Sequence, residues 1–290
     1  MYKTKVNASL VTIAHYMVSG TLYRVALILG ALFHYCERTY ASYLEAKLRM
    51  FDGPLSDERI GASKVMCMDK PINLIDAPVT LIKDEDVANN KDIVSIGTKL
   101  LIDTITSNQD NIKSAFNIGC YRDLQFNYAA EKFSNITFTS VDFPDIEDLK
   151  RLNKIPHRDN WKLVSGYPLD ILRLGEFGSD LVFMSSTTCL CNSLEMDAYI
   201  DELSKHSKII IINEGWGPVP PKGNPFKLYK PEDIDPDQSA IRSMTAYSMF
   251  QHNYPEKFSR KGFRIEKSQL LELNKDIFIL QFVAVNTKFM

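Results

Sequence analysis

Gly119 and Asp142 are the two residues whose types and spacing most directly suggest chemistry in this chain. The stretch Phe116-Asn-Ile-Gly-Cys reads as the end of a buried strand followed by a tight glycine turn at Gly119. A helical stretch follows, and then Ile136-Thr-Phe-Thr-Ser-Val-Asp reads as a second strand that ends in a carboxylate at Asp142. A nucleotide-like ligand needs this order. The glycine lets backbone approach the ligand, the helix N-terminus offers N–H groups, and the acid takes ribose hydroxyls. The separation of roughly 20 residues suits such a unit. Of the Gly-x-Gly-x-x-Gly pattern only the first glycine is present, and Tyr121 and Arg122 stand where a pyrophosphate would approach. A ligand without pyrophosphate therefore fits better than a dinucleotide. Plainer readings stand beside these. Gly119 can be a simple strand-to-helix turn, and Asp142 can cap a helix that begins at Pro144 and Asp145.

The elements that must position these residues change character along the chain. The first ninety residues read as helical, with helices over about 9–35 and 40–51, a mixed segment at 54–90 and an amphipathic helix over about 91–107. From residue 114, strands expected at 114–118, 136–141, 161–165, 180–184 and 208–213 alternate with helices at about 122–133, 145–154 and 192–206. Asp180-Leu-Val-Phe-Met and Lys208-Ile-Ile-Ile-Ile-Asn are nearly continuous apolar runs, as strands covered on both faces require. Such alternation predicts an α/β fold with a doubly wound, mostly parallel sheet. A Pro/Gly-rich loop after Asn213 leads into a polar insertion at about 215–260. Strands at 263–272 and 277–286, turning around Asn274-Lys275-Asp276, predict an antiparallel hairpin at the sheet edge. The expected domains are a helical region over 1–90 and an α/β domain over 91–290.

Five parallel strands closed by a short-linked antiparallel pair resemble the class I S-adenosylmethionine-dependent methyltransferase fold. The resemblance rests on Phe116-Asn-Ile-Gly-Cys, Ser140-Val-Asp-Phe-Pro, Val164-Ser-Gly-Tyr-Pro-Leu-Asp and Asp180-Leu-Val-Phe-Met, and it covers about 114–290. The segment Ser185-Ser-Thr-Thr-x-Leu-x-x-Ser-Leu-Glu-Met is also similar to bacterial sugar O-methyltransferase-like proteins. The resemblance implies S-adenosylmethionine as cofactor and transfer of its methyl group to a hydroxyl of a small polar acceptor, such as a sugar-derived one. It implies cofactor contacts at Asn117, Gly119, Asp142, Gly166, Tyr167 and Asp170. Asn117 replaces the acid that the family's first motif carries, and Tyr121 and Asp123 occupy its later glycine positions. Those departures leave a second reading open, a binding or scaffold module with the fold but no catalysis. A dehydrogenase-like enzyme is a third.

By the same resemblance Ser185, Ser186, Thr187 and Thr188 follow the fourth strand, where the methyl acceptor lies in the family. Four hydroxylated residues in a row can equally begin the next helix. Glu214 and Trp216 follow the fifth strand. Glu214 could take a substrate proton or bond a sugar hydroxyl, against the plainer reading of a loop carboxylate in water. Among the histidines, His206 suits a helix C-terminus, His157 sits in a polar loop, and His15 and His34 suit packing. His252 is then the general-base candidate, against an exposed loop histidine.

Composition bounds the rest. The chain has 290 residues, 45% hydrophobic and 24% charged, with a formal net charge of −2. These are ordinary values for a soluble globular protein. No Lys/Arg block favours a nucleic-acid surface. The five cysteines (Cys36, Cys67, Cys120, Cys189 and Cys191) are odd in number and scattered, which suits reduced thiols in a cytoplasmic protein rather than a disulfide framework. No second Cys/His pair accompanies Cys189-x-Cys191, so no metal site is expected. The apolar run 25–33 is short of a membrane span. Six tyrosines among the first 43 residues offer either a substrate lid or a homodimer interface.

Overall fold

The computed structural model describes residues 81–90, 92–119, 125–142, 157–217, 228–242, 249–274 and 277–290. The helices expected over 9–35, 40–51 and 145–154, and most of the expected 1–90 region, lie outside the described residues.

A short helix α1 (Asp84–Asn89) precedes α2 (Ile93–Ser107). Asp92 caps α2, its carboxylate accepting from the Ser95 N–H at 2.8 Å. Then come β1 (Ser114–Ile118), α3 (Gln125–Lys132), β2 (Thr137–Asp142), β3 (Trp161–Ser165) and α4 (Pro168–Leu174). They are followed by β4 (Leu181–Ser185), α5 (Ser193–His206) and β5 (Ile209–Trp216). The sheet order is β3-β2-β1-β4-β5-β9-β8, where β8 (Phe263–Asn274) and β9 (Ile277–Asn286) form the C-terminal hairpin. The first five strands pair in parallel, and β9 runs antiparallel to both β5 and β8. This is the doubly wound sheet with an antiparallel closing pair that the sequence predicts. Its edge strand β8 presents Arg264 and Glu266 to water, charges that discourage pairing with another chain.

Strand alternation sends side chains to two cores. Phe116, Ile118, Val182, Met184, Ile210 and Ile212 face α4, α5 and a further helix, α6 (Tyr254–Ser259). Ala115, Leu181, Phe183, Ile209 and Ile211 face α2 and α3. Covering both faces explains the continuous apolar runs of β4 and β5.

Two elements depart from expectation. Helix α4 was not expected, although Pro168 stands in its first turn and Gly175, at φ +65°, ends it in the left-handed conformation. The end of the expected polar insertion belongs to the core. There β6 (Ala240–Arg242) pairs with β7 (Met249–Gln251), and α6 buries Tyr254 and Phe258. Asn253 caps α6 by accepting from the Glu256 N–H at 3.0 Å. Tyr254 and Phe258 stand one helical turn apart in α6 and Phe250 is buried on β7, a pattern masked by the polar residues around them. No helix among the described residues is long and apolar enough to cross a membrane.

Candidate active site at the sheet's carboxyl rim

Strand order reverses at β1, which lies between β2 and β4. In an open α/β sheet the crevice outside the strand ends at such a point is where ligands bind. Residue register decides what stands there. Ile118 is opposite Val141, and the Gly119 N–H donates to the Val141 carbonyl at 2.9 Å, which sets Gly119 beside Asp142. Asp142 is in turn opposite Ser165, the residue before Gly166. Gly119, Asp142 and Gly166 thus share one rim, as the sequence predicts.

Gly119 has its own structural reason to be glycine. Its φ is +74°, a region L side chains rarely adopt, and a Cβ there would overlap Thr187 Oγ1 and sit 2.7 Å from its Cγ2. The plain turn reading therefore accounts for the residue. Thr187 is drawn into this position by carbonyl oxygens. Its Oγ1 lies 2.9 Å from those of Ile118 and Ser185 and 3.3 Å from that of Gly119.

The four hydroxylated residues after β4 separate in space. Ser185, Thr187 and Thr188 are buried, whereas Ser186 is exposed and has φ +53°. A non-glycine residue in that region costs roughly 1–2 kcal/mol, and such outliers persist when their surroundings over-determine them. Here the Ser186 N–H donates to the Asn213 carbonyl at 3.0 Å, tying the turn to β5.

Glu214 holds the same turn from the α6 side. It is 1% exposed, which corrects the reading of a loop carboxylate in water: β5 runs on through Trp216, so Glu214 lies inside a strand. Its Oε1 accepts from the N–H groups of Thr187 and Thr188 and from the Thr188 hydroxyl, each at 2.7 Å. Because Thr188 gives its proton to the carboxylate, the Tyr254 hydroxyl at 2.7 Å must donate to Thr188. Burial pushes the Glu214 carboxyl up to about 7, the four hydrogen bonds from Thr188, Thr187 and Cys189 pulling the other way. Burial, then the Glu214 charge, raises the Tyr254 phenol. Glu214 Oε2 has no hydrogen-bond partner among the described residues.

His252 is fully buried beside this cluster, which corrects the reading of an exposed loop histidine. Its ring meets Tyr254 edge-on at 5.5 Å. Nε2 lies 3.0 Å from the Cys191 carbonyl and so carries the proton. Burial, with the Lys257 ammonium, drives the imidazole down to about 3, against the pull of the Cys191 and Thr188 carbonyls. It is neutral at physiological pH.

On the α2 side of the rim the polar groups are amides. Asn117 is 1% exposed, and neither of its side-chain atoms has a partner among the described residues. Gln125 donates to the Val94 carbonyl at 3.1 Å and Asn213 to that of Ile93 at 2.9 Å, yet the side-chain oxygens of both are unpaired among the described residues. The two amides flank Gly97, where a Cβ would sit 2.5 Å from Asn213 Nδ2 and 3.0 Å from Gln125 Nε2. A glycine in α2 is what lets them reach under the helix. Gln125 and Asn213 were not among the expected site residues. A polar residue closing the run Ile209-Ile-Ile-Ile was the available signal.

The remaining expected residues lie farther into the frame. The Tyr167 hydroxyl donates to Glu195 Oε1. Asp170, in the first turn of α4, is exposed and stands 3.9 Å from Arg173. Trp216 is buried and donates from Nε1 to the Tyr229 carbonyl at 2.8 Å. Cys189 and Cys191 are buried thiols that form no disulfide among the described residues. Tyr254, which completes the Glu214 cluster through Thr188, was missed as a site residue because its role exists only once β4, β5 and α6 meet.

No family model matches the chain, and no curated protein matches it. Among solved structures it is similar to magnesium protoporphyrin IX methyltransferase from Synechocystis PCC 6803 with bound SAM. That likeness has 11% identity and a TM-score of 0.49, covering 80% of this chain and 100% of that one. It is similar also to an O-methyltransferase family protein from Burkholderia thailandensis, at 11% identity and a TM-score of 0.44, covering 70% of this chain and 58% of that one. A third is a glycopeptide N-methyltransferase complexed with S-adenosyl-L-methionine, at 13% identity and a TM-score of 0.44, covering 66% and 94%. At such values the class I methyltransferase-like fold rests on this chain's own strand order and register.

Proposed function

We propose that the chain is an S-adenosylmethionine-dependent methyltransferase acting on a hydroxyl of a small polar, sugar-derived acceptor. The observation that carries this reading is the register that sets Asp142 beside Gly119 at the reversal between β1 and β4. The rim suits the cofactor chemically. Asp142 would hold the ribose hydroxyls, and the Gly119 turn allows close approach of backbone. The unpaired amide of Asn117 two residues earlier can meet either a donor or an acceptor. Gly166 and Tyr167, following β3, would border the adenine, with Asp170 at its outer edge.

Bound there, S-adenosylmethionine supplies a sulfonium methyl group already strongly electrophilic. The chain's own task is alignment, which contributes up to roughly 7–11 kcal/mol in ideal cases. Ser186, exposed just past the end of β4, would orient an acceptor hydroxyl, whereas Ser185, Thr187 and Trp216, expected at the same place, are buried. Of the two expected acid–base groups, Glu214 has the proton affinity suited to neutral pH. His252 is too weak a base at about 3 and serves to pack the cluster.

The test is transfer of a labelled methyl group from S-adenosylmethionine to a panel of hydroxylated and amine-bearing small molecules. Label in a hydroxylated product, lost in Asp142→Ala, supports the proposal. Label in amines alone would overturn the hydroxyl assignment, and no cofactor binding at all would favour a scaffold module.

A further inference from the structure

We infer that Glu214 is a positioning residue, whose Oε1 fixes the left-handed turn that presents Ser186 at the switch-point crevice. The inference rests on the cofactor reading and adds a second role for the same carboxylate. Three donors from two consecutive residues, the N–H groups of Thr187 and Thr188 and the Thr188 hydroxyl, converge on this one oxygen at 2.7 Å. Two adjacent N–H groups can point at one acceptor only when the chain curls around it, and that curl begins at Ser186, φ +53°. On the far side Thr187 Oγ1 is seated against the carbonyls of Ile118 and Gly119, and no Cβ could fit between them. Displacing Thr187 therefore displaces the Gly119 turn as well. A carboxylate buried in β5 in this way sets the shape of the β1 and β4 exits, and Tyr254 extends the linkage to α6 through Thr188. The other titratable groups of the cluster are Cys189 and Cys191 from the turn before α5 and His252 from the link between β7 and α6. The Lys257 ammonium reaches the cluster from α6 but is engaged by Asp197 at 2.6 Å and Ser193 at 2.9 Å.

Two substitutions separate positioning from proton transfer. Glu214→Gln keeps an oxygen for the three donors and removes the ionisable group, whereas Glu214→Ala removes the acceptor. The measurements are calorimetric titration of each full-length protein with S-adenosylhomocysteine, and amide hydrogen exchange at Thr187 and Thr188. Exchange at Phe183 and Ile211 reports whether the sheet is intact. The expected result is affinity within about threefold of wild type for Glu214→Gln. For Glu214→Ala it is a loss of at least tenfold, with exchange accelerated more at Thr187 and Thr188 than at Phe183 and Ile211, which report the global loss of stability. Thr188→Val, which removes one of the three donors and the Tyr254 acceptor, stands in if the alanine variant does not fold, and should lose about threefold. Wild-type affinity and wild-type exchange at Thr187 and Thr188 in a folded Glu214→Ala or Thr188→Val would overturn the inference. Should the wild type bind no S-adenosylhomocysteine, the cofactor reading falls. The exchange data then decide the inference alone: selective acceleration supports it and unchanged exchange overturns it.

Discussion

The two faces of the sheet carry different polar chemistry at the same end. Toward α2 the rim is lined by the amides of Asn117, Gln125 and Asn213, groups that never change charge. Toward α6 it holds a carboxylate, an imidazole and a phenol whose proton affinities burial has displaced, the first and last upward and the second downward. The difference teaches that one side can answer to pH while the other answers to hydrogen-bonding groups alone. It also assigns mechanical work unequally. Glu214 Oε1 alone gathers three donors and shapes the turn, whereas the amide oxygens facing α2 gather none among the described residues.

The largest effect should come from breaking the α6 side. Glu214→Ala leaves two backbone N–H groups and a hydroxyl buried without an acceptor, and should lower stability by about 3–5 kcal/mol in urea unfolding.

Next is the pH dependence that sets the faces apart. The Glu214 proton is held more tightly folded, at about 7, than the ordinary 4.5, so its contribution is present below about 4.5 and is lost as pH rises to about 7. His252 runs the other way. Its folded value near 3 lies below the ordinary 6.5, so its contribution is present above about 6.5 and is lost as pH falls to about 3. Each slope is about 1.4 kcal/mol per pH unit, so between about 4.5 and 6.5 they offset and wild-type stability should be nearly flat. Glu214→Gln should uncover a rise with pH across that window. A flat curve in the variant would break the comparison.

A smaller loss, about 1–3 kcal/mol, is expected for Gly119→Ala from overpacking against Thr187 and a strained φ. Adding Thr187→Ala should recover the packing part but not the strain, a coupling that a double-mutant cycle measures. The smallest change in stability belongs to the α2 side. Asn117→Leu replaces an amide with no described partner by an apolar group of similar size, so stability should shift by under about 1 kcal/mol. Affinity for S-adenosylhomocysteine should nevertheless fall about tenfold. A large stability loss instead would mean that the amide is structural.

Much of this was legible in the sequence because period and composition report burial directly. The apolar runs at 180–184 and 208–213 mark strands covered on both faces, and Gly119 followed by Asp142 marks the first β-α-β unit. What stayed hidden depends on distant segments meeting. Nothing local to Glu214 announces that Thr187 and Thr188 will close over it, or that His252 will be sealed against Cys191. The segment 249–259 read as polar although Phe250, Tyr254 and Phe258 carry its packing. Helix α4 was missed for another reason: its seven residues are too short for a periodicity to emerge.

Calorimetric titration of the intact chain with S-adenosylhomocysteine, repeated on Asp142→Ala, tests the central claim most directly. The account predicts micromolar binding to the wild type, weakened in the variant by about 1–3 kcal/mol, the size of a lost charge-assisted hydrogen bond. Equal affinity in the two proteins would contradict the placement of the cofactor at the rim shared by Gly119 and Asp142.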